Sequence, residues 1–140
     1  MNETPTLTDA HHNMLKQSFG RVVAKSLFLP RFYEILMASS PEIASKFINT
    51  DLSKQYNLLE QSLALALLFP DDNVVAKQKI TKLRESHNRH NLNIPPHLYI
   101  YWLDSLMSVF AELDPEFSPE LEHRWRVFLQ ITIDHIKAGY

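Results

Sequence analysis

The sequence has no cysteine and only two glycines among its 140 residues. The first absence removes disulfides, thiolate nucleophiles and cysteine-ligated zinc or iron–sulfur centres. The second starves tight β-turns and glycine-rich phosphate cradles, which disfavours an all-β fold and a Walker or dinucleotide loop. A dominant charge is also missing: 14 Lys and Arg stand against 16 Asp and Glu, for a net charge of −2 with no run of either sign. Neither nucleic acid nor a membrane surface is therefore expected as a partner. There is no long hydrophobic run. The most apolar stretch, Leu58 to Phe69, contains Glu60, Gln61 and Ser62 and is too short to cross ~30 Å of hydrocarbon. The opening MNETPTLTDAHH lacks the basic-then-apolar pattern of a secretory signal, so a cytoplasmic location is expected. What remains is 45% hydrophobic and 21% charged, an ordinary globular mixture. The length fits one domain over 1–140, with residues 1–7 read as a flexible extension.

The eight prolines punctuate a helical pattern. Thr8 and Asp9 are read as caps of a first helix carrying Leu15, Phe19, Val22 and Val23 on one face. Pro30 suits the first turn of a second, with Phe32, Tyr33, Leu36 and Met37. Ser40-Pro41 starts a short helical turn ending near Phe47. Thr50 is read as the cap of a long helix bearing Leu52, Gln55, Leu59, Leu63 and Ala66, stopped at Phe69-Pro70. Asp71-Asp72-Asn73 caps the next, with Val75 or Ala76, Ile80, Leu83 and His87 on one stripe and an end near Asn91. Pro95-Pro96 opens a helix with Tyr99, Leu103, Leu106, Met107 and Phe110, which Asp114-Pro115 breaks. Ser118-Pro119 caps the last, with Leu121, Trp125, Phe128, Leu129, Ile133 and Ile136 toward the core. No strand or repeat competes with this reading, so the expected fold class is all-α, with six or seven helices.

The seven histidines are the most suggestive chemical material. His11 and His12 read as solvated, His97 stands at a helix start, and His123 and His135 fall off the apolar stripe of the last helix. His87 follows Ile80 and Leu83 on the core-directed stripe, whereas His90, one turn on, has more polar surroundings. Spacing alone leaves His87 either a core histidine or a ligand. The His-x-x-His pair lacks the three or four donors that zinc needs, and Glu85 lies on another face. No G-x-S-x-G elbow is present. The paired carboxylates Asp71-Asp72 and Glu120/Glu122 sit at helix starts, where capping accounts for them. No catalytic residue is assigned.

Three signals combine with His87. Phe32-Tyr33 is followed by Pro41 and then Phe47. Gln55 precedes Leu59 by one turn. Leu83-x-x-x-His87 is followed by Ile94-Pro95-Pro96 and, in the last helix, Trp125. The pattern FY-x(7)-P-x(5)-F with a downstream Leu-x-x-x-His resembles the globins. It is most similar to bacterial single-domain globins and to the globin domains of flavohemoglobins and heme sensors, over about Leu7 to Ile136. The resemblance implies a globin-like fold around a heme pocket, with heme b (iron protoporphyrin IX) as cofactor. His87 resembles the proximal iron ligand, with His90 as the alternative. Phe47 resembles the phenylalanine on the heme face, Tyr99 a tyrosine of the proximal side, and Tyr33 and Gln55 the distal pair. Leu59, Leu63, Leu83, Leu103 and Phe110, with Phe47, would line the apolar slot. The late glutamate that pairs with the proximal histidine in flavohemoglobins has no equivalent; Asp134 is misplaced relative to Trp125.

The implied function is reversible binding of dioxygen, nitric oxide or carbon monoxide. The alternatives are nitric oxide dioxygenation with electrons from a separate reductase, and a heme-free interaction or sensor module. Whether the chain is an enzyme, and its oligomeric state, stay open at this point.

Overall fold

The computed structural model describes residues 9–68 and 74–140, and within them the chain is built from seven α-helices with no strand. They are α1 (Asp9–Val23), α2 (Phe28–Ser39), α3 (Pro41–Lys46), α4 (Leu52–Leu68), α5 (Val74–Ser86), α6 (Tyr99–Leu113) and α7 (Pro119–Lys137), and a 3-10 turn, Pro96–Leu98, leads into α6. The readings that concern residues 1–7, the caps at Thr8 and Asp9, the stop at Phe69-Pro70 and the cap at Asp71–Asn73 lie outside the described residues and side chains.

Local chemistry sets several boundaries. Ser40 is extended and its hydroxyl accepts from the Glu42 N–H at 3.2 Å, with Pro41 at the first helical position. Ser118 does the same for α7, accepting from the Leu121 N–H at 3.1 Å ahead of Pro119. Two boundaries differ from the sequence reading. The cap of α4 is Asp51, whose carboxylate accepts from the Ser53 N–H at 3.0 Å, rather than Thr50. Helix α5 ends at Ser86 rather than near Asn91. There the Asn88 side chain accepts from the His90 N–H at 3.0 Å, and the Asn91 amide donates to the Glu85 carbonyl at 2.9 Å. Short amides of this kind compete with the backbone for helical hydrogen bonds.

Helix α6 is the axis of the core. Leu103, Leu106, Met107, Val109 and Phe110 are buried along it, and it packs on α2, α7 and α1. The Phe110 ring meets Phe28 at 5.7 Å and Trp125 at 5.1 Å, both edge-on, so it fills the space between α2 and α7. A polar network locks α1 onto the end of α6. The buried Asp114 carboxylate accepts from Arg21 at 2.6 and 3.1 Å and from the Ser18 hydroxyl at 2.7 Å, and Ser18 accepts in turn from the Trp125 indole at 3.0 Å. Every buried polar atom named there has a partner, the condition under which such a network stabilises. His12, expected to be solvated, is only 7% exposed and stands edge-on to Phe128 at 5.9 Å. The inward turn of α1 puts it there, which a polar local sequence does not reveal.

Candidate functional site

His87 lies just beyond α5, yet its backbone still makes a helical bond, N–H to the Leu83 carbonyl at 3.0 Å. Its ring nitrogen Nδ1 is 2.8 Å from the same oxygen and 3.0 Å from the Ser86 hydroxyl, which itself donates to Leu83 at 2.9 Å. A carbonyl oxygen can only accept, so Nδ1 carries the proton and Nε2 carries the lone pair. No described residue bonds Nε2. Burial pushes the His87 pKa below its ordinary value, and the Leu83 bond pulls less strongly the other way. The ring is thus neutral and held in the tautomer that leaves the lone pair on Nε2.

Tyr99, the first residue of α6, places its ring 6.4 Å from that of His87. Its hydroxyl is buried with no partner among the described residues, and burial raises its pKa to about 12. One turn along α6, Trp102 meets Phe32 at 6.2 Å, and Phe32 meets Tyr33 at 5.0 Å. Helix α6 therefore connects the surroundings of His87 to those of Tyr33. Tyr33 is buried on α2, with Phe47 at 5.8 Å and Tyr56 at 5.6 Å. Its hydroxyl donates to the Gln55 backbone carbonyl at 3.2 Å, long for an O–H···O bond. Burial, and then the neighbouring Tyr56, keep the phenol protonated well above neutrality.

The structure thus groups Tyr33, Phe47 and the Gln55 backbone in one cluster, and His87, Leu83 and Tyr99 in another. Leu59 and Leu103 are buried, while Gln55, Leu83 and Phe47 are half-buried. Leu63 is buried farther along α4. His90 is exposed. His97 is exposed as well and contacts Glu42 at 2.8 Å. Asp134 is exposed on α7 and accepts from Gln130 at 2.8 Å. Sequence reasoning missed Tyr56, Ser86 and Trp102. The signals were present: an aromatic beside Gln55, a serine beside His87, and a tryptophan one turn after Tyr99.

Among the described residues no cluster of three or more His, Asp or Glu side chains could hold a bare metal ion. A lone imidazole suits a metal whose other positions a macrocycle fills. The donor set fits heme on three counts: a tautomer fixed by a backbone carbonyl, apolar and aromatic neighbours, and, beside His87, a buried Tyr99 hydroxyl that no described residue pairs. No described helix is long and apolar enough to cross a membrane.

No protein-family model and no curated protein matches the chain. A solved structure does: protein PA3967 from Pseudomonas aeruginosa PAO1, described as structurally highly homologous to a human hemoglobin. It is 34% identical, with a TM-score of 0.88, over 93% of this chain and 98% of that one. With likeness of that degree across nearly the whole length of both, and with the helical order described above, the chain belongs to the globin family.

Proposed function

We propose that this globin holds heme b through His87 Nε2 and reversibly binds a diatomic gas, dioxygen foremost. The observation that carries this reading is the His87 imidazole, its Nδ1–H anchored on Leu83 at 2.8 Å and its Nε2 bonded by none of the described residues. Heme, when bound, supplies an iron that takes dioxygen, nitric oxide or carbon monoxide.

The chain's own residues supply the rest. His87 is the single protein ligand, and its anchored Nδ1–H orients the ring and raises its basicity. Leu59, Leu83, Leu103 and Phe47 would keep water from the heme once it is bound. Tyr33 has a proton to give to a gas that carries partial negative charge. To do so it releases only the long 3.2 Å bond to the Gln55 carbonyl. The Gln55 side-chain amide is a second candidate donor. Each such bond is worth about 1–3 kcal/mol, roughly tenfold to a hundredfold in affinity. Slow gas release follows.

The test is spectroscopic. Purified protein mixed with hemin is expected to develop a Soret band that survives gel filtration and, after reduction, shifts with carbon monoxide. A chain that takes up no hemin is instead a heme-free interaction module. Sustained consumption of nitric oxide with a reductase, in place of a single stoichiometric loss of dioxygen, would assign the dioxygenase role.

A further inference from the structure

Asn93 plays no part in the gas site, yet three of its groups are committed. Its φ of 53° is the one positive value among the described non-glycine residues, a conformation that asparagine tolerates better than most. Its N–H donates to the Asn88 carbonyl at 2.8 Å. Its own carbonyl accepts from the Lys46 ammonium at 2.7 Å, and its side-chain oxygen accepts from the Tyr140 hydroxyl at 2.7 Å.

The partners belong to different walls. Lys46 is the last residue of α3, next to Phe47. Tyr140 follows α7, its ring under the Arg89 guanidinium at 4.7 Å and its carbonyl accepting from Arg89 Nε at 2.9 Å. Asn93 itself closes the stretch that begins at His87, where the Ile94 N–H donates back to the His87 carbonyl at 3.1 Å. A continuous run of bonds, Lys46 to Asn93 to Tyr140, therefore ties the His87 stretch to α3 on one side and to the end of α7 on the other. The His97–Glu42 contact adds a second link between α3 and the segment before α6. The Lys46 and Tyr140 bonds are exposed to water, so they open far more readily than the packed core.

We propose that Asn93 is the positioning residue of a clasp that holds the His87 stretch in place and sets the rate at which heme leaves. This rests on the heme reading above. For heme to escape, His87 must let go and the wall it stands on must part from α3, and the Lys46–Asn93 bond lies directly between them.

The experiment follows hemin loss from the full hemin-loaded chain to an excess of a heme-scavenging apoprotein, with amide hydrogen exchange alongside. Tyr140→Phe removes only the hydroxyl and keeps the ring on Arg89. Asn93→Gly keeps the positive φ and the carbonyl for Lys46 but removes the side-chain acceptor. Each is expected to speed hemin loss about three- to tenfold, the scale of one lost hydrogen bond, and the double variant no more than either alone. Lys46→Met is expected to speed it independently, and exchange is expected to rise at residues 87–94 but not in α6. Rates within twofold of the parent, a double variant whose effects multiply, or exchange that rises throughout the chain would each overturn the clasp. A parent chain that takes up no hemin would overturn the heme reading itself, and the proposed role with it.

Discussion

Leu83 and His87 share one oxygen: the Leu83 carbonyl accepts both the His87 backbone N–H, at 3.0 Å, and the ring Nδ1–H, at 2.8 Å. The same helical offset that places residue i+4 over residue i serves the backbone and the side chain together. The imidazole orientation is thus a by-product of helix geometry and needs no distant partner.

If Nε2 is the iron ligand, His87→Ala removes the only protein donor. Hemin retention after gel filtration is expected to fall to background, with partial recovery in added imidazole. His90→Ala is the control and is expected to retain hemin, since His90 is exposed. Retention by His87→Ala would sink the assignment.

Tyr33→Phe deletes the hydroxyl but keeps the ring against Phe47 and Tyr56. Dioxygen dissociation, measured by stopped flow, is expected to accelerate about ten- to a hundredfold, the equivalent of one charge-assisted hydrogen bond. An unchanged off-rate would mean that the hydroxyl stays on the Gln55 carbonyl.

The His87 pKa is lowered by burial from an ordinary 6.5. The unfolded chain therefore takes up this proton at a higher pH than the folded one, so the group favours unfolding as pH drops below 6.5. Coordination also requires neutral imidazole. Hemin retention is expected to be flat from pH 8 to 6.5 and to decline only at lower pH. A decline beginning at pH 7.5 would contradict the buried, neutral ring.

Asp114 behaves differently. Burial would raise its carboxyl, but the bonds from Arg21, Ser18 and the Glu116 N–H outweigh it and hold the pKa below 3.8. Its contribution is complete above that value and is lost as pH falls through the lower, folded one. Asp114→Asn is expected to cost roughly 2–3 kcal/mol at pH 7 in urea unfolding, with the gap narrowing below pH 3.8. An equal gap at every pH would locate the loss in packing instead.

The Tyr99 hydroxyl has no partner among the described residues. An unsatisfied buried donor costs about 1–3 kcal/mol, so Tyr99→Phe is expected to leave heme-free protein as stable as the parent or up to ~2 kcal/mol more stable in urea. A loss of stability would show that the hydroxyl is paired.

The sequence by itself determined the helical class, the caps at Ser40 and Ser118, and the alignment of Ile80, Leu83 and His87 along one stripe. These depend on neighbours within a turn or two, and a period of 3.6 residues carries that information. The spacing of Phe32-Tyr33, Pro41, Phe47 and His87 likewise sufficed to suggest the family. Tertiary structure alone decided that His12 turns inward onto Phe128, that Ser18 and Asp114 meet across 96 residues of chain, and that Lys46 and Tyr140 converge on Asn93. Those contacts join groups with no fixed spacing along the chain, so they exist only once the helices have packed.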